Sequence, residues 1–113
     1  MSNLDAWLAR GSHFDTGEGQ LFHVEAGNGE PLVLIHGFPT SSWDWQRVFD
    51  TLAQRYRVIA FDKLGYGFSD KPLDGDYTIA AHLRRTQRLL QSLGVREARV
   101  LAHDNGNTVA QAW

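Results

Sequence analysis

The sequence predicts an α/β fold built on a mostly parallel sheet flanked by helices, with the first strands antiparallel. Three observations carry this. Leu32-Val-Leu-Ile35 is continuously apolar and Tyr56-Arg-Val-Ile-Ala-Phe61 reads as a second buried strand, the character of strands covered on both faces. Segments of helical periodicity alternate with them, an order that calls for parallel pairing through right-handed crossovers. Two strand-like segments near the start flank a glycine-rich turn, Asp15-Thr-Gly-Glu-Gly19, which marks an antiparallel pair.

The elements follow in order. Residues 1–11 form an N-terminal lead, with Leu4, Trp7 and Leu8 at helical spacing and Gly11 as a stop. Residues 12–15 and 20–26 are strands, and Gly27-Asn-Gly29 is a tight turn before the strand at 32–35. Thr40, Ser41 and Ser42 offer helix N-caps, and Asp44 suits the positive end of a helix dipole. The helix after them carries Trp45, Val48, Phe49 and Leu52 on one face. The strand at 56–61 empties into a glycine-punctuated loop, Asp62-Lys-Leu-Gly-Tyr-Gly-Phe-Ser69. Thr78 caps a second helix whose stripe is Ile79, Leu83, Thr86, Leu90 and Leu93, and Gly94 stops it. Residues 97–102 form the last strand.

Composition narrows the functional classes. The 113 residues are 42% hydrophobic and 21% charged, which is ordinary for a globular domain. A net charge of −2 gives no reason to expect a nucleic-acid or membrane-surface partner. There is no cysteine, so disulfides and thiolate metal sites are excluded, and a cytoplasmic location is expected. His13, His23 and His82 are scattered without metal spacing, and neither metal nor cofactor is expected. The start of the chain lacks a basic, then apolar, signal segment, and no apolar run reaches the roughly 20 residues of a membrane span.

Ligand sites of parallel sheets gather in loops at the carboxyl ends of the strands. Here those loops are 36–39, 62–69 and 103–106, the three least ordinary stretches of the chain. The last has the frame of a nucleophile elbow: Ala102, then Asp104, then Gly106, entered from a strand and followed by a helix-like run. Small residues two before and two after the raised residue let the turn close. Asp104 is then the candidate nucleophile, and its plainer reading is a helix N-cap. Asn105, next in the chain, would supply an oxyanion-type N–H. In His36-Gly37-Phe38-Pro39, the Phe38 N–H would aim at the same space, with Gly37 allowing the backbone path and His36 at the loop's base. The same four residues also read as a plain strand-ending turn. The 62–69 loop reads as structural, with Asp62 accepting backbone N–H bonds. His103 reads as packing.

Together, His36-Gly-Phe-Pro39, Asp62-x-x-Gly-x-Gly-x-Ser69 and Asp104-x-Gly106 resemble the α/β-hydrolase superfamily, and within it the aspartate-nucleophile branch of epoxide hydrolases and haloalkane dehalogenases. The stretches 36–45, 61–72 and 103–111 look most like the mesoderm-specific-transcript group of epoxide-hydrolase-like proteins. The resemblance covers residues 12–113, the N-terminal part of a hydrolase core that stops after the elbow. It implies that Asp104 attacks an electrophilic carbon to form an alkyl ester, which a histidine-activated water hydrolyses. A carboxylate suits this step because it is ionised near pH 7 and needs no base to activate it. The expected substrate is a small apolar epoxide or halide. Two departures disfavour the dehalogenase alternative: Asn105 stands where a tryptophan usually follows the nucleophile, and Phe38 where several dehalogenases carry asparagine. A non-catalytic hydrolase-like scaffold is the alternative from another class. The catalytic histidine, its acid partner and the lid are expected beyond residue 113. The 113 residues are accordingly expected to be a fragment, inactive alone.

Overall fold

The computed structural model describes residues 3–37 and 41–102. A five-stranded mixed sheet organises them, in the order β1-β2-β4-β3-β5. The strands are β1 (Ser12–Asp15), β2 (Gln20–Ala26), β3 (Glu30–Ile35), β4 (Tyr56–Phe61) and β5 (Arg99–Ala102). β1 pairs antiparallel with β2, and β2 antiparallel with β4. β4 and β5 both pair parallel with β3. The parallel group and the antiparallel start are therefore as the sequence predicts. The placement of β2 against β4, skipping β3, is new.

Period-two alternation sends each central strand's side chains to two separate cores. Val33, Ile35, Ile59 and Phe61 pack on one face with Leu21, Leu64, Leu89 and Leu90. Leu32, Leu34, Val58 and Ala60 pack on the other with Trp7, Phe22, Val24 and Phe49. Helix α3 (Ile79–Ser92) covers the first face, while α1 (Asn3–Arg10) and α2 (Gln46–Leu52) serve the second. β3 and β4 are apolar over residues 32–35 and 58–61 because both their faces are covered there.

The helices begin and end where local chemistry requires. Thr78 Oγ1 accepts from the Ala81 N–H at the start of α3, and Gly94, at φ +74°, follows its end. Ser41 caps a 3₁₀ turn (Ser42–Trp45) that leads into α2, so the expected helix starts with a tighter turn. Two expected apolar faces are corrected. On α2 Phe49 is buried but Val48 is exposed. On α3 the buried face is Ala81, His82, Arg85, Thr86, Leu89 and Leu90, which displaces Ile79, Leu83 and Leu93 to its margin. The reason is that Arg85 and His82 find polar partners inside, so their polarity does not force them to solvent. α1 is not peripheral: Trp7 is 3% exposed and meets Phe49 edge-on at 5.1 Å between centroids.

Candidate active site

Register brings the carboxyl ends of β4, β3 and β5 to one edge of the sheet. Ile35 lies opposite Phe61 of β4 and opposite Ala102 of β5. Residues 36–37 and the 62–69 loop therefore leave neighbouring strands at one level, and β5 ends beside them at Ala102. Asp104, Asn105 and Phe38 lie outside the described residues. His36 and Gly37 lie within them.

His36 is fully buried, and both its ring nitrogens are engaged. The Lys63 N–H donates to Nε2 at 2.9 Å. An amide can only donate, so Nε2 is unprotonated and Nδ1 carries the proton, which it gives to the Gly37 carbonyl at 2.7 Å. Burial, reinforced by the Lys63 charge, pushes His36 down to about 4, so the ring is neutral near pH 7. His36 thereby ties the start of the β3 loop to the start of the β4 loop.

Asp62 performs the corresponding task on the other side. Its Oδ1 accepts from the Ser42 N–H and its Oδ2 from the Phe68 N–H, each at 2.7 Å. Burial raises its pKa, and the bonds from Ser42 and Phe68 oppose that rise. Gly67, at φ +50°, passes so close that a Cβ there would sit 2.2 Å from Asp62 Oδ2. Glycine at 67 is thus a condition of the clamp. Ser69 Oγ donates to the Asp62 carbonyl at 2.5 Å and accepts from the Phe22 N–H at 2.8 Å, which fastens the loop to β2. Trp7 Nε1 donates to Ser42 Oγ at 3.1 Å, so a continuous polar chain runs from α1 through Ser42 to Asp62.

Three residues of this cluster carried no sequence signal. Lys63 is 1% exposed although lysine is almost never fully buried. His82 and Arg85 stand three apart on α3, and Arg85 Nη1 donates to His82 Nδ1 at 3.2 Å. Only the three-residue spacing of two polar groups on one helix face could have hinted at that pair. No group of metal-ligating side chains occurs among the described residues, and no described helix is long and apolar enough to cross a membrane.

A model of the alpha/beta hydrolase fold matches residues 30–113. The chain belongs to the alpha/beta hydrolase fold family. The mouse (Mus musculus) mesoderm-specific transcript protein is 41% identical over 115 residues, covering 96% of this chain and 34% of the relative. A soluble epoxide hydrolase from Corynebacterium sp. (strain C12) is 41% identical over 80% of the chain and 32% of its own length. A haloalkane dehalogenase from Agrobacterium fabrum is 36% identical over 83% and 31%. Among solved structures, an alpha/beta hydrolase fold protein from Burkholderia ambifaria superposes with a TM-score of 0.83 at 38% identity, over 88% of this chain and 36% of that one. The chain spans about a third of the length of these relatives. Family membership gives the clamps of His36 and Asp62 a context: they shape the end of the sheet from which residues 36–37 and 62–69 leave.

Proposed function

We propose that the complete protein is a hydrolase with Asp104 as nucleophile, acting on small epoxides through an alkyl-enzyme ester. The observation that carries the reading is the parallel register Ile35↔Ala102, beside which the His36–Gly37 loop departs. Asp104 follows Ala102 by two residues in the chain, so a nucleophile and an oxyanion loop would rise from adjacent strands. His36 supports this chemistry without touching substrate. Its Nδ1–H holds the Gly37 carbonyl, and in a trans peptide the next N–H points the opposite way from that carbonyl. The Phe38 N–H would thus be turned away from the His36 ring and towards the reacting group, with the Asn105 N–H as its counterpart.

In the first step a carboxylate oxygen of Asp104 would attack a ring carbon of the epoxide, the ring C–O bond would break, and the alkoxide oxygen would take a proton from water. Water then cleaves the ester and releases a diol. A histidine would serve as the base that activates this water. The identities to the Corynebacterium epoxide hydrolase and the Agrobacterium dehalogenase leave halide displacement as the second reading, since the first attack is the same. Product analysis separates the two, because a diol supports the first and released halide the second. The nucleophile is tested by Asp104→Ala in the complete protein. The expected result is a loss of turnover of at least about 10³-fold, with the mass of a trapped ester mapped to residue 104 in the wild type. Turnover within tenfold of wild type would refute the assignment.

A further inference from the structure

Lys63 is a buried cation without a counter-charge among the described residues. Its side chain is 1% exposed, and Nζ has no hydrogen-bond acceptor among the described residues. Asp62, its neighbour in sequence, is committed to the Ser42 and Phe68 amides. The other acids near the cluster are committed as well. Glu18 holds Arg84 at 2.7 Å and lies 3.5 Å from Arg85 Nε and 3.7 Å from Arg88. Asp76 Oδ1 accepts from the Thr78 N–H, and its carbonyl takes Arg85 Nη2.

The two histidine rings whose titration the ammonium influences have their acceptor nitrogens filled. The His36 ring has its one acceptor nitrogen filled by the Lys63 amide. On His82 the acceptor Nδ1 is filled by Arg85, which can only donate, so Nε2 carries the remaining ring proton. The Lys63 charge is among the causes that hold both histidines down to about 4, so neither ring adds a charge near pH 7. The Tyr66 ring lies 5.0 Å from Nζ and gives it a π-face but no charge. An ammonium removed from water with no acceptor among the described residues is a preformed half of an ion pair.

We propose that Lys63, with His82 beside it, is a receptor for a small monovalent anion of the halide or carboxylate class at the carboxyl end of β4. Small size follows from the burial of the ammonium. Tyr66, half-buried, borders both Nζ and an open depression of about 370 Å³ lined by Gly65, Lys71, Pro72, Leu73 and Tyr77. Its ring thus borders both a solvent-open space and the charge that attracts the ion. This site does not depend on the role of Asp104, because it is read by binding and needs no turnover.

The test is titration of the complete protein with sodium bromide and, separately, sodium acetate at constant ionic strength, followed by tryptophan fluorescence and by the 15N shift of the Lys63 ammonium. The variants are Lys63→Met and Lys63→Arg. The expected result is saturable binding in the millimolar range, weakened at least tenfold by Lys63→Met and kept within about threefold by Lys63→Arg. Preference for bromide assigns a halide site, and preference for acetate assigns a carboxylate site. Equal affinity in wild type and Lys63→Met overturns the proposal. So does absence of saturation in the wild type. An ammonium that titrates above 10 with no salt added would mean an acid elsewhere in the complete protein already pairs with it, and would overturn it too.

Discussion

Replacing Lys63 with methionine is expected to stabilise the protein, although it removes a charge at the centre of a polar cluster. The reasoning starts from burial. Taking the ammonium out of water pushes its pKa from 10.5 down to about 8, with no opposing contribution from a carboxylate. Each tenfold change in proton affinity is worth about 1.4 kcal/mol, so the charged form carries a folding penalty of about 3 kcal/mol. The folded-state pKa lies below the unfolded one, so the unfolded chain binds more protons between the two values. The penalty is therefore complete below about pH 8 and disappears as pH rises to about 10.5. Methionine has a similar length, no charge, and a flexible apolar chain that fits a lysine-shaped space. The assay is urea unfolding of the complete wild-type and Lys63→Met proteins from pH 7 to pH 10.5, in a buffer free of halide and carboxylate. The variant should be more stable by about 3 kcal/mol at pH 7, and the gap should close towards pH 10.5. Saturating bromide should narrow the gap at pH 7 by stabilising the wild type alone. A variant less stable than wild type, or a gap that does not change with pH, would refute the reasoning.

Two further outcomes follow from the same loops. Asp62→Ala orphans the buried Ser42 and Phe68 amides. It should cost about 3 kcal/mol or more in denaturant unfolding, at about 1–3 kcal/mol for each unsatisfied group. A loss below 1 kcal/mol would mean that the carboxylate clamp does not order the loop. Acid should also destabilise the protein through its buried imidazoles, His36 and His82. Both fall from 6.5 to about 4 in the folded state, so the unfolded chain takes up protons first. Stability is then present above about pH 6.5 and lost as pH falls towards 4, and His36→Gln should flatten that decline.

Much of the sheet edge could be read in the chain because it is written in local chemistry. Glycines at 65 and 67 mark a loop that must turn tightly, and the apolar runs at 32–35 and 56–61 mark strands covered on both faces. Asp62 could be read as a loop clamp because a carboxylate beside glycines commonly accepts backbone N–H bonds. The partners of the clamp could not. Ser42 and Trp7 stand 20 and 55 residues from Asp62, and no periodicity links them. The buried face of α3 differs from the expected apolar stripe for a related reason. A helix face is buried by what lies opposite it, and opposite Arg85 lie Glu18 and the Asp76 carbonyl, which make its burial tolerable.

The sequence by itself determined the fold class and the order of the elements, since both rest on spacing along the chain. Tertiary structure alone decided that β2 would lie beside β4, that α1 would reach Asp62 through Trp7 and Ser42, and that Lys63 would be enclosed. Burial is a property of the whole packing. A lysine has the same sequence signature in water as between two neutral histidines, and only the arrangement of its neighbours turns it into an unpaired charge.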